Sequence, residues 1–157
     1  MKAMKRIVTG LLVVGMMLVF AACGAEQTVT LQADLSQDGM SLIDTMILKA
    51  QGDTVQELKE VMVLDLSSYD EETKNYLIMV LNESYVVPAQ TIDGVKCTDS
   101  STDSAYTIEL TVDCTSSDTI KAAVDAGLLT IDDASAGRIS LKATRSGLEA
   151  NGYTVVE

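Results

Sequence analysis

The chain of 157 residues contains no histidine. Ser-His-Asp and Cys-His nucleophilic systems are therefore excluded, as are His-ligated zinc sites and the H-E-x-x-H motif. Tryptophan is absent too, and there is a single phenylalanine, Phe20, and a single proline, Pro88. With so few large rings the chain has no aromatic wall on which a sugar or a nucleobase would stack. The core must be assembled from Val, Leu, Ile, Met and five Tyr. No P-loop and no G-x-G-x-x-G occurs. Positive charge is scarce as well, with 11 Lys and Arg against 23 Asp and Glu. Such a surface repels phosphate backbones and anionic headgroups, which argues against a nucleic-acid partner. Carboxylates alone can run glycoside hydrolysis, but that chemistry usually wants the missing sugar wall. No catalytic residue is assigned.

What is present begins with an address. Lys2, Lys5 and Arg6 precede an uncharged, mostly apolar run over residues 7–20, then Ala21-Ala22-Cys23-Gly24. A basic start, an apolar stretch and a small-residue cut site make a secretory signal. As a helix the run reaches about 21 Å, short of the roughly 30 Å of a bilayer's hydrocarbon. Val19-Phe20-Ala21-Ala22-Cys23 resembles the lipobox of bacterial lipoproteins, in which the thiol receives a diacylglyceryl group. The expectation is a signal peptide over residues 1–22, lipidation at Cys23, a tether over 23–27 and one domain over 28–157. The domain would be held on the extracytoplasmic face of the cell membrane. Two acyl chains, at about 0.8 kcal/mol per buried CH₂, make a durable anchor. Apart from that diacylglycerol, no cofactor and no metal is expected. Residues 1–22 hold three of the 11 basic residues and no acid, so the remainder carries 8 against 23, a net charge of −15.

Along the domain, Val29, Leu31, Ala33 and Leu35 alternate, and Asp38-Gly39 is a two-residue hairpin signal. Closing the turn there sets Leu42 opposite Leu35, Met46 opposite Leu31 and Leu48 opposite Val29, with Asp44 opposite Ala33 as the exception. A three-residue loop, Gly52-Asp53-Thr54, would bring Leu58, Met62 and Leu64 onto the face of Leu48, Asp44 and Leu42. The period then changes. Ser68-Tyr69-Asp70-Glu71 reads as a capping box, and Thr73, Tyr76, Leu77, Val80, Leu81 and Ser84 recur at helical spacing. Ile78 and Met79 widen that stripe, which predicts a helix lying deep on the sheet and ending before Pro88. Residues 95–98 and 106–114 form a further hairpin with a polar tip. Residues 119–126 predict a helix ended by Gly127, and 140–151 a last helix capped by Ser140 and closed at Gly152. Residues 153–156 are an extended tail. The class is α+β: an antiparallel sheet of about five strands in hairpins, with two or three helices on one face.

Several of these pieces match a known family. Lys49-Ala50-Gln51-Gly52-Asp53-Thr54-Val55, Leu64-Asp65-Leu66-Ser67, Leu110-Thr111-Val112-Asp113, Gly137-Arg138-Ile139-Ser140-Leu141 and Leu148-Glu149-Ala150-Asn151-Gly152-Tyr153 lie in this order behind the lipobox. The chain thereby resembles the YehR-like bacterial lipoproteins, a family of unknown function. The resemblance spreads over nearly the whole domain and departs at residues 76–81, an apolar run where a longer acid- and lysine-rich helix is expected. It implies an α+β domain with helices packed on an antiparallel sheet. It brings no activity and no binding residues.

Few side chains invite chemistry. Cys97 and Cys114 remain once Cys23 is lipidated, and an even pair outside the cytoplasm suggests a disulfide. A hairpin tip near residues 102–105 sets Cys97 opposite Leu110, roughly 13 Å from Cys114 and beyond the disulfide limit. A bulge or a displaced tip would close the gap, so disulfide and paired free thiols both stay open. Asp34-Leu35-Ser36-Gln37-Asp38-Gly39 copies the opening of an EF-hand loop, making Asp34 and Asp38 candidate cation contacts. Its twelfth place is Thr45 instead of the bidentate acid, so the hairpin turn explains it better. Asp132-Asp133 is a second acidic spot. The apolar stripe at residues 76–81 is core or, at its surplus edge, a partner surface with Tyr69 and Tyr85 as contacts. The expected role is binding without catalysis, as an envelope interaction module or as a small-ligand or cation-binding lipoprotein serving a transporter or sensor.

Overall fold

The computed structural model describes residues 24–131 and 137–156. The expected leader, Cys23 and Asp132-Asp133 lie outside the described residues. The elements are β1 (Glu26–Asp34), β2 (Leu42–Gln51), β3 (Thr54–Asp65), α1 (Glu71–Leu81), a π-helical segment (Asn82–Val86), α2 (Val87–Ala89), β4 (Val95–Ser101), β5 (Ala105–Asp113), α3 (Ser117–Asp125), α4 (Leu141–Ala150) and β6 (Thr154–Val155). The strands form one antiparallel sheet in the order β4-β5-β3-β2-β1-β6. The α+β class is as expected. The tail at the end of the chain supplies a sixth strand by pairing Leu31 with Val155.

The first hairpin follows from its turn. Asp38 and Gly39 hold φ of 53° and 86°, the left-handed pair of a type I′ turn, and Gln37 and Met40 exchange both backbone hydrogen bonds at 2.9 Å. Val29, Leu31 and Ala33 then face Leu48, Met46 and Asp44, as the alternation requires. The second turn is tighter than expected. Thr54 already pairs with Gln51, so only Gly52 and Asp53 form the loop, and the register shifts one residue further on. Gln56 is the extra residue of that bulge, which restores Leu48 to Leu58 and Leu42 to Leu64. The expected tether is shorter too. Glu26 and Gln27 already pair with Gln51 and Ala50, and Gly52 N donates to the Ala25 carbonyl at 3.1 Å.

The middle of the chain departs most from its pattern. Ser68 does not cap α1; Asp70 does, its carboxylate accepting from the Thr73 amide at 2.8 Å. The chain does not leave the helix before Pro88 either. Val87 keeps helical angles (φ −62°, ψ −50°) and its amide reaches back five residues to the Asn82 carbonyl. A π-turn widens the coil just where a proline ring would strike the preceding turn, and Pro88 enters as the first turn of α2. No residue of α1 is buried. Leu77, Ile78 and Leu81 rest on the sheet, whereas Tyr76, Met79 and Val80 point outward.

The helices cover one sheet face as two separate lids. Under α1 lies a cluster of Met62, Leu64, Leu66, Tyr106 and Ile108. Under α3 and α4 lies a larger one including Val29, Leu31, Leu48, Leu58, Leu110, Val112, Ile120 and Leu141. Tyr85 and Cys97 pack against both. Gly94 locks the β4 entry to α3: it holds φ +81°, and a Cβ there would lie 2.8 Å from Thr119 Oγ1 and 3.0 Å from its Cγ2. Gly94→Ala is expected to destabilise the fold by about 2 kcal/mol. Gly147→Ala, whose added Cβ meets nothing within 4 Å, should be neutral or slightly stabilising. Urea midpoints of the two variants check the contrast, and equal midpoints would refute the close contact.

Candidate functional site

The covered face is built from cross-strand rows of alternate residues. One row runs Asp44, Met62, Ile108, Asp99, and the next runs Met46, Glu60, Leu110, Cys97. Asp44 and Glu60 are thus diagonal neighbours, at positions roughly 7–8 Å apart in such ladders. They lie where the two apolar clusters meet. Tyr153 donates its hydroxyl to Asp44 Oδ2, reaching in from the turn between α4 and β6. Tyr85 approaches from the π-helical segment. Two carboxyls and two phenols therefore fill a seam between the lids.

Burial sets the electrostatics of the seam. Asp44 is 2% exposed, and burial raises its pKa against the lowering effect of the Tyr153 bond. Oδ1 of Asp44 is buried and meets no donor in hydrogen-bonding geometry, although the Thr45 amide nearby lends a weak favourable field. Burial, and next the Asp44 charge beside it, push Glu60 up to about 7. The Tyr85 and Tyr153 phenols are raised first by burial and then by these acids. The ion pairs among the described residues join other partners, Lys49 to Glu57 and Lys59 to Glu109 on the open sheet face and three more along helices. Neither seam acid has a basic partner there.

A groove of about 610 Å³ opens beside the seam, between α4 and the sheet. Met46, Leu58, Leu129, Ile139 and Leu148 make most of its apolar wall, with Arg138 and Ser140 near the start of α4 and Asn151 and Tyr153 past its end. Asp53 fixes that helix: its carboxylate accepts from Ser140 Oγ at 2.8 Å and from the Lys142 amide at 2.9 Å. Both bonds favour the ionised form and lower its pKa.

The residues singled out from the sequence lie elsewhere, with one exception. Asp34 accepts from the Ser36 amide at 3.0 Å, Asp38 forms the β1–β2 turn, and no cluster of three or more potential metal-ligating acids or cysteines exists among the described residues. Tyr69 packs partly buried against the α1 cluster. Tyr85, also half-buried, belongs to the seam. Cys97 and Cys114 are free thiols: Cys97 pairs with Leu110, and Cys114 follows β5, too far along to be bridged. Burial pushes them up to about 11 and about 12. Glu60 and Tyr153 were missed, though Glu60 interrupts the alternation Leu58, Met62, Leu64 as Asp44 interrupts Leu42, Met46, Leu48.

No family model and no curated protein sequence matches the chain. Among solved structures it is similar to the NMR structure of the Escherichia coli YehR protein, with 20% identity over 85% of this chain and 92% of that one and a TM-score of 0.62. It is also similar to the NMR structure of a Streptococcus pneumoniae TIGR4 protein, with 17% identity over 99% of both chains and a TM-score of 0.58. The likeness is one of fold, and it is the fold that the YehR resemblance implied. Neither description states an activity.

Two outcomes follow from the seam. Glu60 holds its proton up to about pH 7 when folded but to about 4.5 when unfolded, so protonation favours the folded state. Its contribution to stability is full below about pH 4.5, declines as the pH rises to about 7, and is flat beyond. Glu60→Gln should remove the decline, leaving the variant about 3 kcal/mol more stable than the parent near pH 8. Urea unfolding across that range reads it, and parallel curves for the two proteins would contradict it. The thiols should resist iodoacetamide at about pH 8 in the native protein and react on unfolding; rapid native labelling of either would show the burial to be wrong.

Proposed function

We propose that this chain is a lipid-anchored binding protein of the cell envelope, non-catalytic, that holds a small ligand in the groove beneath α4. The leader and Cys23 support the anchor, and the placement of the groove carries the rest. It combines an apolar wall with a polar end at Tyr153, the form taken by small-molecule sites, and it abuts the charged seam. Catalysis by the two acids is disfavoured, because a glycosidase places its carboxyls on opposite sides of one accessible bond, whereas Asp44 is buried and bonded to Tyr153.

A second reading, the interaction module favoured by composition, rests on a different observation. Tyr76, Met79 and Val80 on the outer side of α1, with Val87 after the π-turn, are exposed by 61, 48, 38 and 55%. Exposed Glu72 and Glu83 border that stripe, so charge favours an envelope protein presenting an apolar strip with basic flanks over a second copy of this acidic chain. The α4 groove has the stronger claim because it joins shape to unmatched charge.

In intact cells the protein should fractionate with membranes, and its N-terminal peptide should carry the mass of a diacylglycerol on Cys23. Cys23→Ser should leave the fold unchanged and release the protein to the soluble fraction. An unmodified N-terminus, or membrane association that survives the substitution, contradicts the anchor.

A further inference from the structure

We infer that Asp44 and Glu60, which lie next to the groove's lining at Met46, Leu58 and Tyr153, are a receptor for a primary ammonium group carried on an apolar stem. The inference rests on the groove being a ligand site and gives that ligand its chemistry. Three elements lead from the groove to the acids. Met46 lines the groove and sits two residues from Asp44 on the same face of β2. Leu58 lines it and sits two residues from Glu60 on the same face of β3. Tyr153 lines it and is itself bonded to Asp44. A step of two along a strand is about 7 Å, one long side chain. A stem lying in the groove therefore brings its head to the seam.

The seam presents acceptors that lack a cation. Among the described residues Asp44 Oδ1 is buried without a donor, and no Lys or Arg pairs with Asp44 or Glu60. An ammonium group offers three donors, matching Asp44 Oδ1, the Glu60 carboxylate and a phenol oxygen. The rings of Tyr85 and Tyr153 add faces of the kind that attract organic cations. A hard metal ion fits less well. Calcium takes six to eight oxygens, and the described residues hold no cluster of three metal-ligating side chains. The stem is dictated by the wall of Leu58, Leu129, Ile139 and Leu148.

The groups facing Glu60 are Asp44 on β2, Tyr85 from the π-helical segment, Tyr153 ahead of β6 and Cys97 on β4. None is cationic, so among the described residues an ammonium would be the first positive charge in the seam. It needs Glu60 ionised, and affinity should therefore climb as the pH rises through about 7.

The test compares n-octylamine with n-octanol by titration calorimetry on the full mature protein, at about pH 6 and about pH 8. Octylamine should bind at least about tenfold more tightly than octanol at the higher pH, with the preference narrowing at the lower. Glu60→Gln, which should fold at least as stably as the parent, should erase the preference but keep the octanol affinity. Gly147→Leu should weaken both probes, because Gly147 lines the groove and its Cβ position is open. Equal binding of the two probes, blocked by Gly147→Leu, would overturn the ammonium receptor while leaving the groove as a ligand site. No binding of either would overturn both. Amine binding indifferent to both substitutions would be adsorption to an acidic surface and would overturn the inference. So would a calcium-induced thermal shift that Glu60→Gln abolishes.

Discussion

Asp38 and Gly39 occupy the two left-handed positions of the β1–β2 turn, and the pairing they close decides which side chains lie beneath the helices. A slip of one residue in β1 would turn Val29, Leu31 and Ala33 to the open face and bring Thr30 and Gln32 under the lids. A fully buried Val or Leu contributes about 1.5–3 kcal/mol, so exposing Val29 and Leu31 alone would cancel a large part of a typical domain's stability of about 5–15 kcal/mol. Register is therefore not negotiable. It leaves Asp44 no alternative, because the carboxyl shares a face with Leu42 and Leu48 and must be buried with them.

The rest of the molecule is arranged around that obligation. A charge taken from water without a partner is costly, and the chain reduces the cost by several local means. Tyr153 donates to one oxygen of Asp44, which requires the chain to turn back after α4 and add β6 at the sheet edge. Glu60 shifts towards its neutral form. Tyr85 and Tyr153 fill the seam between the lids, where the larger cluster under α3 and α4 meets the smaller one under α1. Replacing Asp44 and Glu60 by apolar residues would merge the clusters into one continuous core. Local consistency is broken at one seam and kept nearly everywhere else, a pattern found where sequence serves function as well as folding.

Much of this was legible in advance, and the divide between what was and was not is physical. Period-two alternation and the Asp38-Gly39 turn are local signals, so β1 against β2 could be read residue by residue, and β2 against β3 beyond the Gln56 bulge. Ser140 and Gly152 bound the last helix as their cap chemistry suggests. The β4–β5 register followed from the polar tip, which also explains why the two thiols stay apart. The failures are where tertiary context overrules a local rule. Pro88 commonly ends a helix, but a π-turn accommodates it, and no spacing pattern announces one extra residue in a coil. The depth of α1 was overestimated because apolar residues on both sides of a helix do not reveal which side the sheet takes. Asp44 was visible as an exception. Glu60 could have been found by the same alternation, whereas the pairing of Asp44 with Tyr153 spans 109 residues and needs the fold.

The start of β1, the β2–β3 turn and the groove converge on one end of the sheet. Gly52 bonds back to Ala25, and Asp53 in the same turn holds the first residues of α4. The chain thus leaves β1 towards Cys23 beside the Arg138 and Ser140 end of the groove. Two residues, Gly24 and Ala25, separate the cysteine from the strand, a slack of about 7 Å. With a diacylglycerol on Cys23, so short a leash would keep this end near the bilayer, and the ten residues of α4 would carry the groove about 15 Å inward to the seam. The acids would then lie at the far end from the membrane and the apolar wall between. A molecule entering from the bilayer side would do so head first, its charged group leading to Asp44 and Glu60 and its stem following along Ile139, Leu58 and Leu148 without crossing open water. The same geometry places the outer stripe of α1 on a different part of the molecule, so holding a ligand and touching a partner would not compete for one surface.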